Sequence, residues 1–135
     1  MKLEKDEQIE VVVNPAERYQ VTNLEVCVGE QYHFEAHGKW KDASHICGPE
    51  GWQNWWSSNF LRFSRLPNND LFFLGGNIGR DEKTNFPIGS SGTRNIEATG
   101  CLYLFANDLW YFYFNNYNLP PDQGGPMTVA IRRVV

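Results

Sequence analysis

The chain has no apolar run near the roughly 18 to 20 residues that a membrane-spanning helix requires, so no bilayer insertion is expected. It also lacks any cluster of Lys and Arg. Net charge is −4, and Arg132 and Arg133 make only a local pair, which removes the electrostatic footprint of a nucleic-acid or anionic-lipid binder. Cysteine is scarce. Cys27, Cys47 and Cys101 are odd in number, far apart and without a CxxC pair, which argues against a disulfide framework and structural zinc and for reduced, mostly buried thiols. The opening residues MKLEKDEQIE carry charge throughout and lack the apolar core of a secretory signal. Synthesis in the cytoplasm is therefore expected, with release by a non-classical route left open. No window of ten or more residues shows a helical apolar stripe, which excludes a helical bundle.

What is present is strand signal and aromatic mass. Of 135 residues, 41% are hydrophobic and 15% aromatic against 21% charged, a globular balance that suits one domain over residues 1–135. Val26, Val28, Tyr32, Phe34 and Ala36 recur at even spacing, the period of a half-buried strand, with Gly29-Glu30 as a turn or bulge inside the run. Val11–Val13, Leu71–Leu74 and Cys101–Ala106 are short apolar runs bounded by turn formers, and Met127, Val129 and Ile131 repeat the alternation. Gly and Pro punctuate the chain about every ten residues, the rhythm of an all-β fold. Two antiparallel sheets packed face to face into a β-sandwich are expected, with one short helix or turn allowed around Trp52–Phe63.

The segment NDLWYFYFNN, Asn107–Asn116, carries the chemistry. Asp108 stands seven residues before Asn115 and Asn116, an oxygen-rich set with one formal charge. Calcium takes six to eight oxygen ligands from carboxylates, amides, main-chain carbonyls and water, so a loop closing Asp108 onto the two amides would seed such a site. Adjacent strand residues point to opposite faces, so the two Asn share an ion only where the chain turns. Taken alone, the same residues also suit the turns of a hairpin.

Gln20–Thr22, Gly29-Glu30, Gly38, Gly48–Gly51, Ile78-Gly79, and above all ND followed by NN, together resemble the LecA-type calcium-dependent galactose-binding lectins. The likeness covers nearly the whole chain and runs without gaps from about Val12 to Gly38 and from Gly100 to Asn116. It implies a jelly-roll-like β-sandwich of the galactose-binding-domain kind, holding one Ca2+ that two neighbouring sugar hydroxyls complete. Carried onto this sequence, Asp108 provides carboxylate oxygens, Asn115 and Asn116 side-chain carbonyls, and Phe112 and Asp42 main-chain carbonyls. The resemblance also implies a homo-oligomer. It departs at WQNWWSS, where Trp55 and Ser58 occupy the positions nearest the family's contacts to the sugar's primary hydroxyl, and at the bulky loop Leu109–Phe114. Trp52, Trp55 or Trp56 offers an aromatic face to a sugar ring instead.

Other readings compete with a lectin. WQNWW suits a core or a subunit contact, and a β-sandwich that has lost sugar binding and serves as an interaction or structural domain is the alternative. His33 and His37 lie roughly 13 Å apart on a strand at about 3.3 Å per residue, too far to hold one ion. His45 and Cys47 lack an orienting acid or an oxyanion-hole motif, and Asp42, Glu50 and Asp108 form no recognisable glycosidase pair, so no enzyme is expected.

Overall fold

The computed structural model describes residues 1–135 and is built of twelve strands with three short 3-10 turns. One antiparallel sheet runs β1 (Gln8–Val12), β12 (Thr128–Arg133), β3 (Gln31–His37), β9 (Ser91–Asn95). The second runs β2 (Gln20–Val26), β10 (Gly100–Ala106), β7 (Leu71–Ile78), β6 (Glu50–Trp52), with β8 (Asp81–Pro87) also on β7. A small third sheet, β11 (Asn116–Asn118), β4 (Trp40–Asp42), β5 (His45–Cys47), sits at one end. This is an all-β sandwich.

Alternation produces the layers. In β2 and β3 every second residue is buried, so Leu24 and Val26 on one sheet meet Tyr32, Phe34 and Ala36 on the other. Burying a large aliphatic or aromatic side chain contributes about 1.5–3 kcal/mol, and twenty buried residues join in one cluster. β7 departs from alternation: nearly all of its residues are buried, because its outer face is covered by Leu66 and Phe105, which crowd Gly75.

Gly29-Glu30 is a turn joining β2 to β3, not a bulge within one strand, because Glu30 donates its main-chain N–H to Cys27 O at 3.1 Å. The thiols also differ from expectation. Cys47 is buried, Cys27 half-buried and Cys101 exposed, since Cys101 takes an outward position of β10. Of the five tryptophans Trp40 is the core residue; Trp55 and Trp56 stand in solvent, 82% and 57% exposed, because they precede a surface 3-10 turn (Ser57–Phe63).

Candidate functional site

The small sheet brings distant residues together at one end of the sandwich. β11 pairs antiparallel with β4 so that Asn116 lies opposite Asp42, and β4 turns through Ala43-Ser44 into β5, placing His45 opposite Asp42. The tip of that hairpin is fixed to the aromatic loop: Ala43 donates its N–H to Asn115 O at 2.9 Å. Asn115 closes a 3-10 turn, Tyr113–Asn115, and Asn116 opens β11, so the chain bends between the two amides.

Asp108 is 3% exposed and its two carboxylate oxygens accept from different elements. Leu109 N donates to Oδ1 at 2.8 Å, and Asn116 Nδ2 donates to Oδ2 at 3.0 Å. Asn116 Nδ2 also donates to Pro15 O at 3.0 Å, which fixes the amide and turns its oxygen away from both partners. Three buried side-chain oxygens in the molecule lack any hydrogen-bond partner, and Asn115 Oδ1 and Asn116 Oδ1 are two of them. Such orphans are rare because each forfeits its hydration without compensation. Asn115 lines the same cavity as Asp42 and Asp108, whereas Asn116 meets Asp108 through its Nδ2 and lies outside that lining.

Asp42 is buried at 8% exposure, and Trp52 Nε1 donates to its Oδ2 at 3.1 Å. The Asp42 side chain lines the cavity in addition to the main-chain carbonyl that the resemblance implies, because Asp42 ends a strand paired on both sides. Burial raises its pKa, against the indole hydrogen bond and the charge of His45. Burial likewise pushes the Asp108 carboxyl up to about 7, opposed by the Asn116 hydrogen bond, reinforced by the charge of Asp42 and opposed by the Leu109 N–H. The Asp42 carboxylate thus raises the cost of charge on Asp108 where water is scarce.

A cavity of about 310 Å³ opens here. Asp42, Asp108 and Asn115 form its oxygen-bearing end, and Trp56, Phe60 and Phe112 stand among its apolar lining. Phe112 is 48% exposed. Trp55 and Ser58 lie outside this lining; the Ser58 hydroxyl donates to Trp55 O at 3.0 Å. Trp52, Trp56 and Ser57 take the positions on the cavity instead. A larger cavity of about 440 Å³ lies between β8 and β9, but Arg94 there spends its guanidinium on the Pro87, Ile88 and Thr93 carbonyls. No group of three His, Cys, Asp or Glu side chains is arranged to hold a metal ion. A mixed carboxylate and amide set is the donor chemistry of calcium.

No family model matches this sequence, and no curated protein matches it. Among solved structures, the chain is similar to an EclA N-terminal domain described as a PllA-like lectin, at a TM-score of 0.63 and 21% identity, over 92% of this chain and 94% of that one. The two chains share a β-sandwich fold. At this identity the likeness shows the fold alone.

Two site features escaped the sequence reading. His45 stacks flat on Trp52, ring centroids 3.7 Å apart and planes 3° apart, so β5 and β6 share one aromatic wall. Asn107 carries a structural role beside the site: it accepts from Leu66 N at 2.7 Å and donates to the Leu66, Asn69 and Asp70 carbonyls, holding the segment that follows the 3-10 turn over β7. The only signal for Asn107 was its place before Asp108, which turn chemistry also explains.

Proposed function

We propose that this protein is a calcium-dependent carbohydrate-binding lectin, non-catalytic and assembled from several copies. The observation that carries the reading is the orphaned Asn115 Oδ1 on the cavity shared with the buried Asp42 and Asp108 carboxylates, with a second orphaned oxygen on Asn116, whose amide nitrogen holds Asp108. A divalent cation would satisfy the Asn115 oxygen and relieve the carboxylates together, and turning the Asn116 amide would add its oxygen to the set. Asp108, Asn115, Asn116 and Asp42 would hold Ca2+, with the main-chain carbonyls of Phe112 and Asp42 the further donors that the family resemblance implies. Bound calcium would present open coordination positions to two neighbouring hydroxyls of galactose or a related sugar.

The protein's own residues would do the rest. Asp108 is oriented by Leu109 N and Asn116 Nδ2, so its carboxylate is held before any ligand arrives. Trp52 orients Asp42 in the same way. Trp56, Phe60 and Phe112 exclude water from the sugar's non-polar side.

Isothermal titration calorimetry with a monosaccharide panel, in calcium and in EDTA, tests the reading. Millimolar or tighter sugar binding that disappears in EDTA, and in D108N, is the expected result. Calcium-independent binding, or none at millimolar sugar, would return the domain to the class of interaction or structural β-sandwiches.

A further inference from the structure

The loop that carries the site is gripped from outside the cavity. Asp108 and Asn115 flank Leu109–Phe114 and both line the cavity, so their spacing depends on how firmly that loop is held. Arg65, which follows the 3-10 turn Ser57–Phe63, holds it at three places. Its main-chain N–H donates to Asp108 O at 3.2 Å, and the neighbouring Ser64 forms an antiparallel bridge with Leu109. Its side chain, 4% exposed, reaches the loop's other end, where Nη1 donates to the Tyr113 hydroxyl at 2.9 Å and also to Arg18 O at 2.8 Å. Between these points the Trp110 ring lies 5.2 Å from the guanidinium, and the Trp110 carbonyl accepts from Arg18 Nε at 2.8 Å. None of Arg65, Trp110 and Tyr113 lines the cavity.

The guanidinium is itself braced. Glu82 on β8 accepts two parallel bonds from it, Nε to Oε1 at 2.6 Å and Nη2 to Oε2 at 2.8 Å, and the Tyr19 hydroxyl donates to Oε2 at 2.8 Å. The Phe105 ring packs 3.8 Å from Cζ. Two-pronged pairing sets the plane of the group as well as its place, which the single ammonium of a lysine cannot do. Burial opposes charge on both partners, but their bonds to each other prevail: the Glu82 carboxyl is lowered below its ordinary value and the Arg65 guanidinium raised above its own.

We propose that Arg65 is a positioning residue for the calcium site: braced by Glu82, it fixes the Leu109–Phe114 loop and thereby the spacing of Asp108 and Asn115 before an ion arrives. This inference rests on the reading of the site as a calcium-dependent sugar receptor, and it places a determinant of affinity outside the cavity. Groups that orient metal ligands without touching the metal govern affinity by roughly tenfold to a hundredfold.

The test is calorimetric titration with calcium alone, well below each variant's melting temperature, so that only folded protein is compared. Y113F removes the hydroxyl that joins Arg65 to the loop, and E82Q removes the carboxylate that braces Arg65; neither residue lines the cavity. Each should weaken calcium binding about tenfold, and Y113F/E82Q no more than the worse single change, because both act through Arg65. R65K should match Y113F, since the charge survives but the fork that reaches Glu82 and Tyr113 together does not. Unchanged calcium affinity in Y113F and R65K, with only the melting temperature lowered, overturns the positioning role and leaves the calcium site standing. Losses that multiply in the double variant overturn the route through Arg65. Absence of calcium binding by the unaltered chain overturns the site reading and the positioning role together.

Discussion

At the scale of single residues, Asp108 makes opposite demands on folding and on ligand. Its carboxyl has an ordinary value of 3.8 and is pushed up to about 7 in the folded chain, chiefly by burial. A raised folded-state value means the proton is held more tightly folded than unfolded, so this group's stabilisation is full below about pH 4 and is lost as pH rises through about 7. In EDTA, the melting temperature is therefore expected to fall between about pH 4 and pH 8, and D108N, neutral throughout, should flatten that slope. A cation reverses the sign, because it binds the carboxylate and not the acid. Calcium at about a hundred times its dissociation constant stabilises by about 2.7 kcal/mol, so its gain in melting temperature should be large at pH 8, small at pH 5 and absent in D108N. Thermal melts at the two pH values, with and without calcium, decide it. An equal calcium response at both would remove Asp108 from the ligand set.

At the scale of elements, two short segments beside the site, β6 and the β4–β5 tip, each put one residue in the left-handed region. Gly51, in β6, has φ +75°, and a Cβ there would collide with Leu71 O and Phe73 N, main-chain atoms that cannot yield. G51A should cost roughly 2 kcal/mol or more and displace Trp52 from the cavity. Ala43, at the β4–β5 tip, adopts φ +53° without being glycine. Left-handed backbone costs an L-residue roughly 1–2 kcal/mol, of which glycine's extra chain entropy returns part, so A43G should stabilise by about 0.5 kcal/mol. Urea midpoints that move in the same direction for both would contradict this account. The same elements explain what could be read beforehand. β3 and β12 bury one face, and period two marks them in the sequence, while β10 shows as a short apolar run. β8 and β9 do not: DEKTNFP and SGTRN bury no side chain fully in their strands, so no apolar rhythm distinguishes them from loop. β4, β5 and β6 have three residues each, too few to show any period. The side-chain part of Asp42 was illegible for the same reason, being created by pairing with β11, a strand more than seventy residues away.

At the scale of the whole molecule, the exposed surface is 7026 Å², close to the roughly 7,200 Å² expected of a folded monomer this size. The chain therefore hides what a lone domain ordinarily hides. Its exposed aromatics are a matter of placement and not of loose packing. Tyr111 and Phe114 are 80% and 76% exposed on the loop that carries the site, while Tyr113 between them is 1% exposed and donates its hydroxyl proton to Ala106 O at 2.7 Å. Tyr113 thus anchors the loop inward while Tyr111, Phe112 and Phe114 present rings outward, and Tyr117 at 52% exposure is a further exposed ring. Phe112 and Phe114 lie with ring centroids 6.3 Å apart, and exposed apolar patches mark contact surfaces. Association through this loop would hold several sugar sites in fixed relation, which converts weak single-site binding into avidity without any new contact to sugar. Sedimentation velocity should show a species heavier than the 15.6 kDa chain, and Y111S/F114S should return it to the monomer while leaving single-site calcium and sugar affinity within about twofold, because neither side chain lines the cavity. A monomer at every concentration would place these aromatics outside any self-contact and leave each site to act alone.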